Sequence, residues 1–172
     1  ARRIAPGLVR KRFGYLRWKD ADRALHEQLV AEARAQVLSS VPFPLVGSDL
    51  DPNVLAAARE NAVRAGVGGD IRWEVANFES ARPPAASGTL VTNPPYDERM
   101  KAADIGAVYR RIGDALKQQW GGWTAYVFSG NLDAAGQVGL RASARLRLFN
   151  GAIEGRHVKV ELTAPEHAAA QR

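Results

Sequence analysis

The sequence contains no cysteine, little histidine and no long apolar run, and each absence excludes a class of function. Without cysteine, the 172-residue chain has no disulfide, no thiolate nucleophile and no thiolate-ligated zinc or iron–sulfur centre. Its histidines, His26, His157 and His167, are too far apart in sequence to form a local metal pair, and we expect no metal site. No segment approaches the roughly 18 apolar residues of a membrane-spanning helix, so we expect no membrane contact.

The composition is that of a globular domain with a basic surface. Hydrophobic residues make up 46% and charged residues 24% of the chain, which is close to the average for proteins that bury a core. The net charge of +6 favours an anionic partner, and nucleic acid above all. Arginine and alanine are abundant, as they are in proteins from G+C-rich genomes, so the charge alone is a weak indication.

Helical and strand patterns alternate along the chain, which predicts an α/β fold. Strands are expected at Leu45–Leu50, Ile71–Val75, Thr89–Thr92, Trp123–Phe128, Ala144–Phe149 and Arg156–Leu162. Helices are expected from Asp20 or Asp22 to Val37, after Asp51-Pro52, at Ala103–Gln119 and near Asn131–Val138. Such an order predicts a mostly parallel sheet with helices on both faces, and an antiparallel pair at the C-terminal edge around the Asn150-Gly151 turn.

Polar side chains lie at or just after the ends of the first two predicted strands, where ligands bind in open parallel sheets. The carboxylate of Asp49 is expected to accept hydrogen bonds from the two hydroxyls of a ribose, and Asp51 is a second candidate ligand. Asp51 also precedes a proline, and for this residue we favour a helix-capping role. After the next strand, the Asn77 carbonyl can accept from the exocyclic amine of an adenine, and Phe78 can pack on the ring.

The third strand ends in the most specific motif of the chain, Asn93-Pro94-Pro95-Tyr96. The two prolines fix the backbone and remove two donors. The Asn93 side-chain oxygen and the Pro94 carbonyl can then both accept from one planar amine, which directs the nitrogen lone pair towards an electrophile. Tyr96 offers a flat face on which the base can stack. The pattern therefore predicts a catalytic site for an amine.

With its context, this motif resembles the amino-methylating S-adenosylmethionine-dependent methyltransferases. The chain is most similar to the catalytic domain of the RlmL-type 23S rRNA guanine-N2-methyltransferases, which belong to the THUMP-associated group. The segments that carry the resemblance are Ile4–Leu8, Gly47–Pro52, Ala58–Ala62, Asn93–Arg99 and Asn150-Gly151. The chain departs from the family pattern at Asp97, where glycine is usual, and at Asn77, where aspartate is common.

The resemblance implies a Rossmann-like class I methyltransferase fold, S-adenosylmethionine as cofactor, ribosomal RNA as partner and a cytoplasmic location. It assigns the cofactor to Asp49, Asp51, Asn77, Phe78 and Asn93. Arg99 would contact the target phosphate or brace the loop. The family's first strand and its Gly-rich cofactor loop have no counterpart here, so we expect residues 1–164 to be a partial catalytic domain and 165–172 a disordered tail.

The same sequence features allow other functional interpretations. The motif recognises a planar amine, so adenine N6 in nucleic acid or a glutamine amide in a protein factor are alternative acceptors. Alternatively, the chain is a catalytically incomplete fragment that only binds RNA. The basic, aromatic start, from Arg2 to Trp18, either binds RNA or wraps the surface with its rings packed on the sheet.

Overall fold

The computed structural model describes residues 1–95, 102–151 and 153–163. The chain divides into two compact units, residues 1–75 and residues 76–172. Each unit contains a β-sheet of its own.

The first unit is a β-α-β arrangement preceded by a helix. Its elements are α1 (Arg23–Ala35), β1 (Leu45–Asp49), α2 (Pro52–Arg64) and β2 (Ile71–Val75). Asp22 begins α1 by accepting a hydrogen bond from the Leu25 amide, which decides between the two predicted start residues. The strands β1 and β2 pair in parallel, with Leu45 opposite Ile71 and Asp49 opposite Val75. The α2 crossover between them explains the parallel pairing.

Close packing inside the first unit depends on one glycine and one partly buried ion pair. A Cβ at Gly47 in β1 would lie 2.5 Å from the Trp73 ring in β2, so only glycine leaves room for the indole. The guanidinium of Arg2 donates to both carboxylate oxygens of Asp70 at 2.9 and 3.1 Å. Both contacts come from Arg2 Nη1, and they fasten the start of the chain to the turn before β2.

The second unit is a four-stranded mixed sheet. Its elements are β3 (Gly88–Thr92), α3 (Ala102–Gln119), β4 (Trp123–Ser129), α4 (Leu132–Gly136), β5 (Ala144–Asn150) and β6 (Ile153–Glu161). The strand order is β3-β4-β6-β5. β3 and β4 are parallel, and β6 is antiparallel to both β4 and β5. Gly151, with φ of 62°, makes the turn between β5 and β6 in the left-handed region that favours glycine.

The core of the second unit forms where α3 packs on the sheet. Tyr109, Ile112 and Leu116 recur at helical spacing along α3 and belong to one buried cluster with Ala125 and Val127 of β4. The alternation of β4 explains its burial, since every second residue from the first to the last of the strand is buried.

The predicted α/β class and the predicted elements are confirmed, with two differences in the sheet. The strands of the described residues form a two-stranded and a four-stranded sheet, not a single sheet. The antiparallel character also extends further than predicted, because β6 pairs with β4 as well as with β5.

The predicted tail at 165–172 lies outside the described residues. Over the described ranges, no helix is both long and apolar enough to cross a membrane.

Candidate active site

The Asn-Pro-Pro segment directly follows β3 in the second unit. β3 ends at Thr92, which lies opposite Val127 of the parallel strand β4. The register therefore places Asn93 at the carboxyl edge of this sheet, close to the level of Phe128 and Ser129. This is the edge at which parallel strands present ligand-binding residues, as the sequence predicted.

Asn93 and the prolines differ in exposure in a way that suits their predicted roles. Asn93 is exposed, Pro94 is buried and Pro95 is exposed. Among the described residues, the Asn93 side chain makes no hydrogen bond, so its amide is available to a ligand. The burial of Pro94 anchors the backbone from which Asn93 projects. The other predicted residues of this segment, Tyr96 and Arg99, lie outside the described residues.

The neighbouring strand end contains a hydrogen-bond network that the sequence analysis missed. Ser129, the last residue of β4, is fully buried. The Tyr109 hydroxyl donates to Ser129 Oγ at 2.7 Å, and Ser129 Oγ donates to the Asn131 carbonyl at 2.8 Å. The Asn131 side chain in turn accepts from the Ala134 amide at 2.9 Å and caps α4. A serine at the carboxyl end of a mostly apolar strand was the available signal.

The turn after β2 that contains Asn77 and Phe78 belongs to the second unit. Asn77 is exposed, and its Oδ1 accepts from the Glu79 amide at 3.2 Å, so one lone pair of that oxygen remains for an adenine amine. Phe78 stacks on Trp120, with ring centroids 6.4 Å apart and planes at 20°. One side of the Phe78 ring therefore supports the core, and its predicted contact with adenine stays a prediction.

Two further contacts fasten this turn to α3. Gln119 donates to the Glu79 carbonyl at 2.8 Å, and the Arg111 guanidinium lies 2.9 Å from the Glu79 carboxylate. The position of Asn77 is thus set by the long helix of its own unit.

The two predicted aspartates lie at the carboxyl end of β1 in the first unit, with Asp49 as the last residue of the strand and Asp51 two residues later. Asp49 Oδ1 accepts from the Asp51 amide at 2.9 Å, and its other oxygen has no partner among the described residues. Asp49 is half-buried, so this oxygen is held in place yet open to a ribose hydroxyl. Asp51 Oδ1 accepts from the Asn53 amide at 2.8 Å, which confirms its predicted capping role. One free carboxylate oxygen on a rigid turn fits the ribose of the expected cofactor.

The aromatic residues of the N-terminal segment pack on α1. The rings of Phe13, Tyr15 and His26 have centroids 5.1 to 5.7 Å apart, and the Tyr15 hydroxyl lies 2.6 Å from His26 Nδ1. Trp18 is the exception, with 68% of its surface exposed. Of the two alternatives for this segment, packing of the rings on the sheet does not describe Phe13 and Tyr15, which contact the helix. No group of three or more potential metal ligands occurs in the part of the chain that the structure describes.

Comparison with known proteins places the chain in a family. The model of the RMKL-like methyltransferase domain matches residues 1–159. The chain belongs to this family. The RMKL-like domain is 42% identical over 160 residues to slr0064 of Synechocystis sp., a protein named as an RNA methyltransferase. It is 39% identical over 155 residues to the ribosomal RNA large subunit methyltransferase K/L of Shewanella sp. strain W3-18-1. These matches cover 92% and 88% of the chain but only 42% and 22% of the two relatives.

Solved structures confirm the class I methyltransferase fold. A methylase from Clostridium difficile 630 matches with a TM-score of 0.83 and 27% identity, over 95% of this chain and 43% of that one. SMU.472, described as a methyltransferase and solved in complex with S-adenosylhomocysteine, matches with a TM-score of 0.84 and 23% identity. That match covers 94% of this RMKL-like domain and 43% of the SMU.472 chain. The predicted Rossmann-like architecture is thereby confirmed.

Proposed function

We propose that the protein is an S-adenosylmethionine-dependent methyltransferase that modifies the exocyclic N2 amine of a guanine in 23S ribosomal RNA. The observation that carries this proposal is the end of β3, where exposed Asn93 follows a parallel strand and precedes buried Pro94. Membership of a family whose relatives are named as RNA and ribosomal RNA methyltransferases supports RNA as the substrate. A ribosomal RNA substrate implies that the protein is located in the cytoplasm.

In this proposal, one group of residues binds the cofactor and another positions the target amine. The cofactor, when bound, supplies an electrophilic methyl group on a positively charged sulfur. Asp49 would hold the ribose through its free carboxylate oxygen, and Asn77 and Phe78 would hold the adenine. This assignment fits the residues present, because each of the two polar side chains retains an unused acceptor site.

At the acceptor, the Asn93 side-chain oxygen and the Pro94 carbonyl would both accept from the target amine. The amine would gain positive character as its nitrogen bonds to the methyl carbon and the methyl–sulfur bond breaks, and the methylated amine would then lose one proton to solvent. Two fixed acceptors therefore stabilise the transition state more than the ground state. Tyr96 would stack on the base, and Arg99 would contact the phosphate or brace the loop. The base must leave its stack to reach this edge, at a cost of a few kcal/mol.

Substitution of the asparagine tests the proposal. In the full-length protein, we expect Asn93→Ala to reduce methyl transfer to 23S rRNA by about a hundredfold or more, because one positioned acceptor is lost. The melting temperature should not change, since the side chain is exposed and makes no hydrogen bond among the described residues. Radiolabelled methyl transfer and thermal unfolding measure the two effects. Near-normal turnover by the variant would overturn the assignment.

The choice of substrate separates this proposal from its alternatives. The same assay is run on 23S rRNA, on adenine-containing DNA and on a glutamine peptide, with nucleoside analysis of the methylated RNA. N2-methylguanosine as product supports the proposal, whereas methyl transfer only to adenine N6 or to the peptide replaces it. Calorimetric titration with S-adenosylmethionine tests the remaining alternative, a fragment that binds RNA alone.

A further inference from the structure

The β5–β6 hairpin carries a cluster of two arginines on one glutamate at its turn end. Arg147 Nη2 lies 2.8 Å from Glu154 Oε2, and Arg156 Nη1 lies 2.5 Å from Glu154 Oε1. Both guanidinium groups thus share a single carboxylate, so one positive charge remains in excess. Arg145 lies on the same face of the sheet and has no ion pair among the described residues. The face is therefore positively charged.

The strand register brings this cluster to the same sheet edge as Asn93. Arg156 lies opposite both Ser129 of β4 and Arg147 of β5. Ser129 is at the carboxyl end of β4, and Asn93 follows the carboxyl end of the parallel strand β3. A polymer whose reacting group sits at Asn93 can therefore extend along this edge over the hairpin.

An exposed aromatic ring adjoins the cluster. Phe149 is 62% exposed, and the guanidinium carbon of Arg147 lies 5.3 Å from its ring centroid. A cation over an aromatic ring orders both groups although neither is buried. Exposed aromatic rings beside arginines are the elements with which proteins stack unpaired bases and bind the adjoining phosphates.

We infer that Arg147, Arg156 and Phe149 form an RNA-binding surface that holds the strand next to the target base. This inference rests on the proposed function and specifies how that site binds its substrate. The two guanidinium groups bind backbone phosphate, and Phe149 stacks on an unpaired base. Glu154 accepts hydrogen bonds from both arginines and orients them, so the cluster is formed before RNA arrives and loses less entropy on binding.

Binding of a fluorescein-labelled single-stranded RNA of mixed sequence to the full-length protein tests the inference. We expect Arg147→Gln and Arg156→Gln each to weaken binding several-fold and to reduce the salt slope of log K by about 0.7. Phe149→Ala should weaken binding by about tenfold or more. Arg147 and Phe149 are exposed, so thermal unfolding of their variants should be unchanged.

Lys159→Gln is the matched control. Lys159 is on the same strand as Arg156, pairs with Glu161 at 2.8 Å and alternates to the opposite face of the sheet. This variant should bind RNA as tightly as the unmodified protein. Equal losses in the control and the arginine variants, or unchanged affinity and slope in the latter, would overturn the inference. The RNA titration needs no cofactor, so it tests the hairpin independently of catalysis. A protein that transfers no methyl group to RNA would refute the proposed function and would leave the result of this titration unaffected.

Discussion

Individual side chains at the carboxyl edge of the second sheet are held by a few polar contacts. Ser129 Oγ accepts hydrogen bonds from the Tyr109 hydroxyl and the Asn131 amide, and it donates to the Asn131 carbonyl. These hydrogen bonds fix the end of β4 and the start of α4. Asn93 by contrast makes no hydrogen bond within the described ranges. Ser129 and Asn131 therefore support the edge of the sheet, and Asn93, whose side chain is free to bind a ligand, is the residue that we propose for the substrate.

Glu154 should titrate at lower pH than an ordinary glutamate. The hydrogen bond from Arg156, together with the charge of Arg147, lowers the pKa of Glu154 from its ordinary value near 4.5. Because the folded state lowers this pKa, the stabilisation is fully present above the ordinary value and is lost as the pH falls through the lowered value. Carboxyl NMR titration measures the shift.

The cause of the shift can be checked with variants. Arg156→Gln should raise the pKa of Glu154 towards the ordinary value, whereas Lys159→Gln on the opposite face should leave it unchanged. High salt should reduce the shift, since Glu154 is exposed and Arg156 is only half-buried. An unshifted Glu154 pKa in the unmodified protein would contradict the ion-pair geometry described here.

Among the elements, α3 depends most on a single small residue. A Cβ at Gly113 would lie 1.9 Å from the Val138 carbonyl oxygen and 2.8 Å from its carbon. Backbone atoms cannot rotate away as a side chain can. The glycine thus lets the chain after α4 pack directly on the helix.

Gly113→Ala and Gly106→Ala should therefore have opposite effects on stability. Alanine favours a helix over glycine by about 1 kcal/mol, but overpacking against backbone costs about 1–3 kcal/mol or more. At Gly113 we expect net destabilisation. At Gly106, on the same helix, the new Cβ meets only side-chain atoms at 3.6 and 3.8 Å, so we expect no loss or a gain of up to about 1 kcal/mol. Urea unfolding measures both, and equal effects would refute the packing argument.

At the scale of the whole molecule, apolar burial is unevenly divided between the two units. The buried hydrophobic cluster lies entirely within residues 105–162 of the second unit. In the first unit, the buried hydrophobic residues among those described are Leu55 and Ala62. Local stability follows the number of buried apolar contacts.

Amide hydrogen exchange should therefore be slowest in the second unit. We expect amides of β4 and the middle of α3 to be protected at least about tenfold more than those of β1 and β2, which corresponds to about 1.4 kcal/mol of opening free energy. Native-state exchange followed by NMR or mass spectrometry measures the difference. Equal protection in β2 and β4 would show that the units open together.

The sequence by itself determined the local elements and predicted the chemistry of the main motif. Asp51-Pro52 predicted the start of α2, alternation predicted β2, and Asn93-Pro94-Pro95 indicated a site for a planar amine at a strand end. These features depend on residues that are close in sequence, where capping, periodicity and proline geometry act directly.

Only the tertiary structure decided which distant residues meet. The register of β4, β5 and β6 brings Ser129, Arg147 and Arg156 to one edge, and the packing of α3 places Trp120 against Phe78. A shift by one residue would turn each of these strand side chains to the other face, so no local pattern contains this information. Strand register and helix packing are set by the fit of whole surfaces, and they decide how a motif becomes a site.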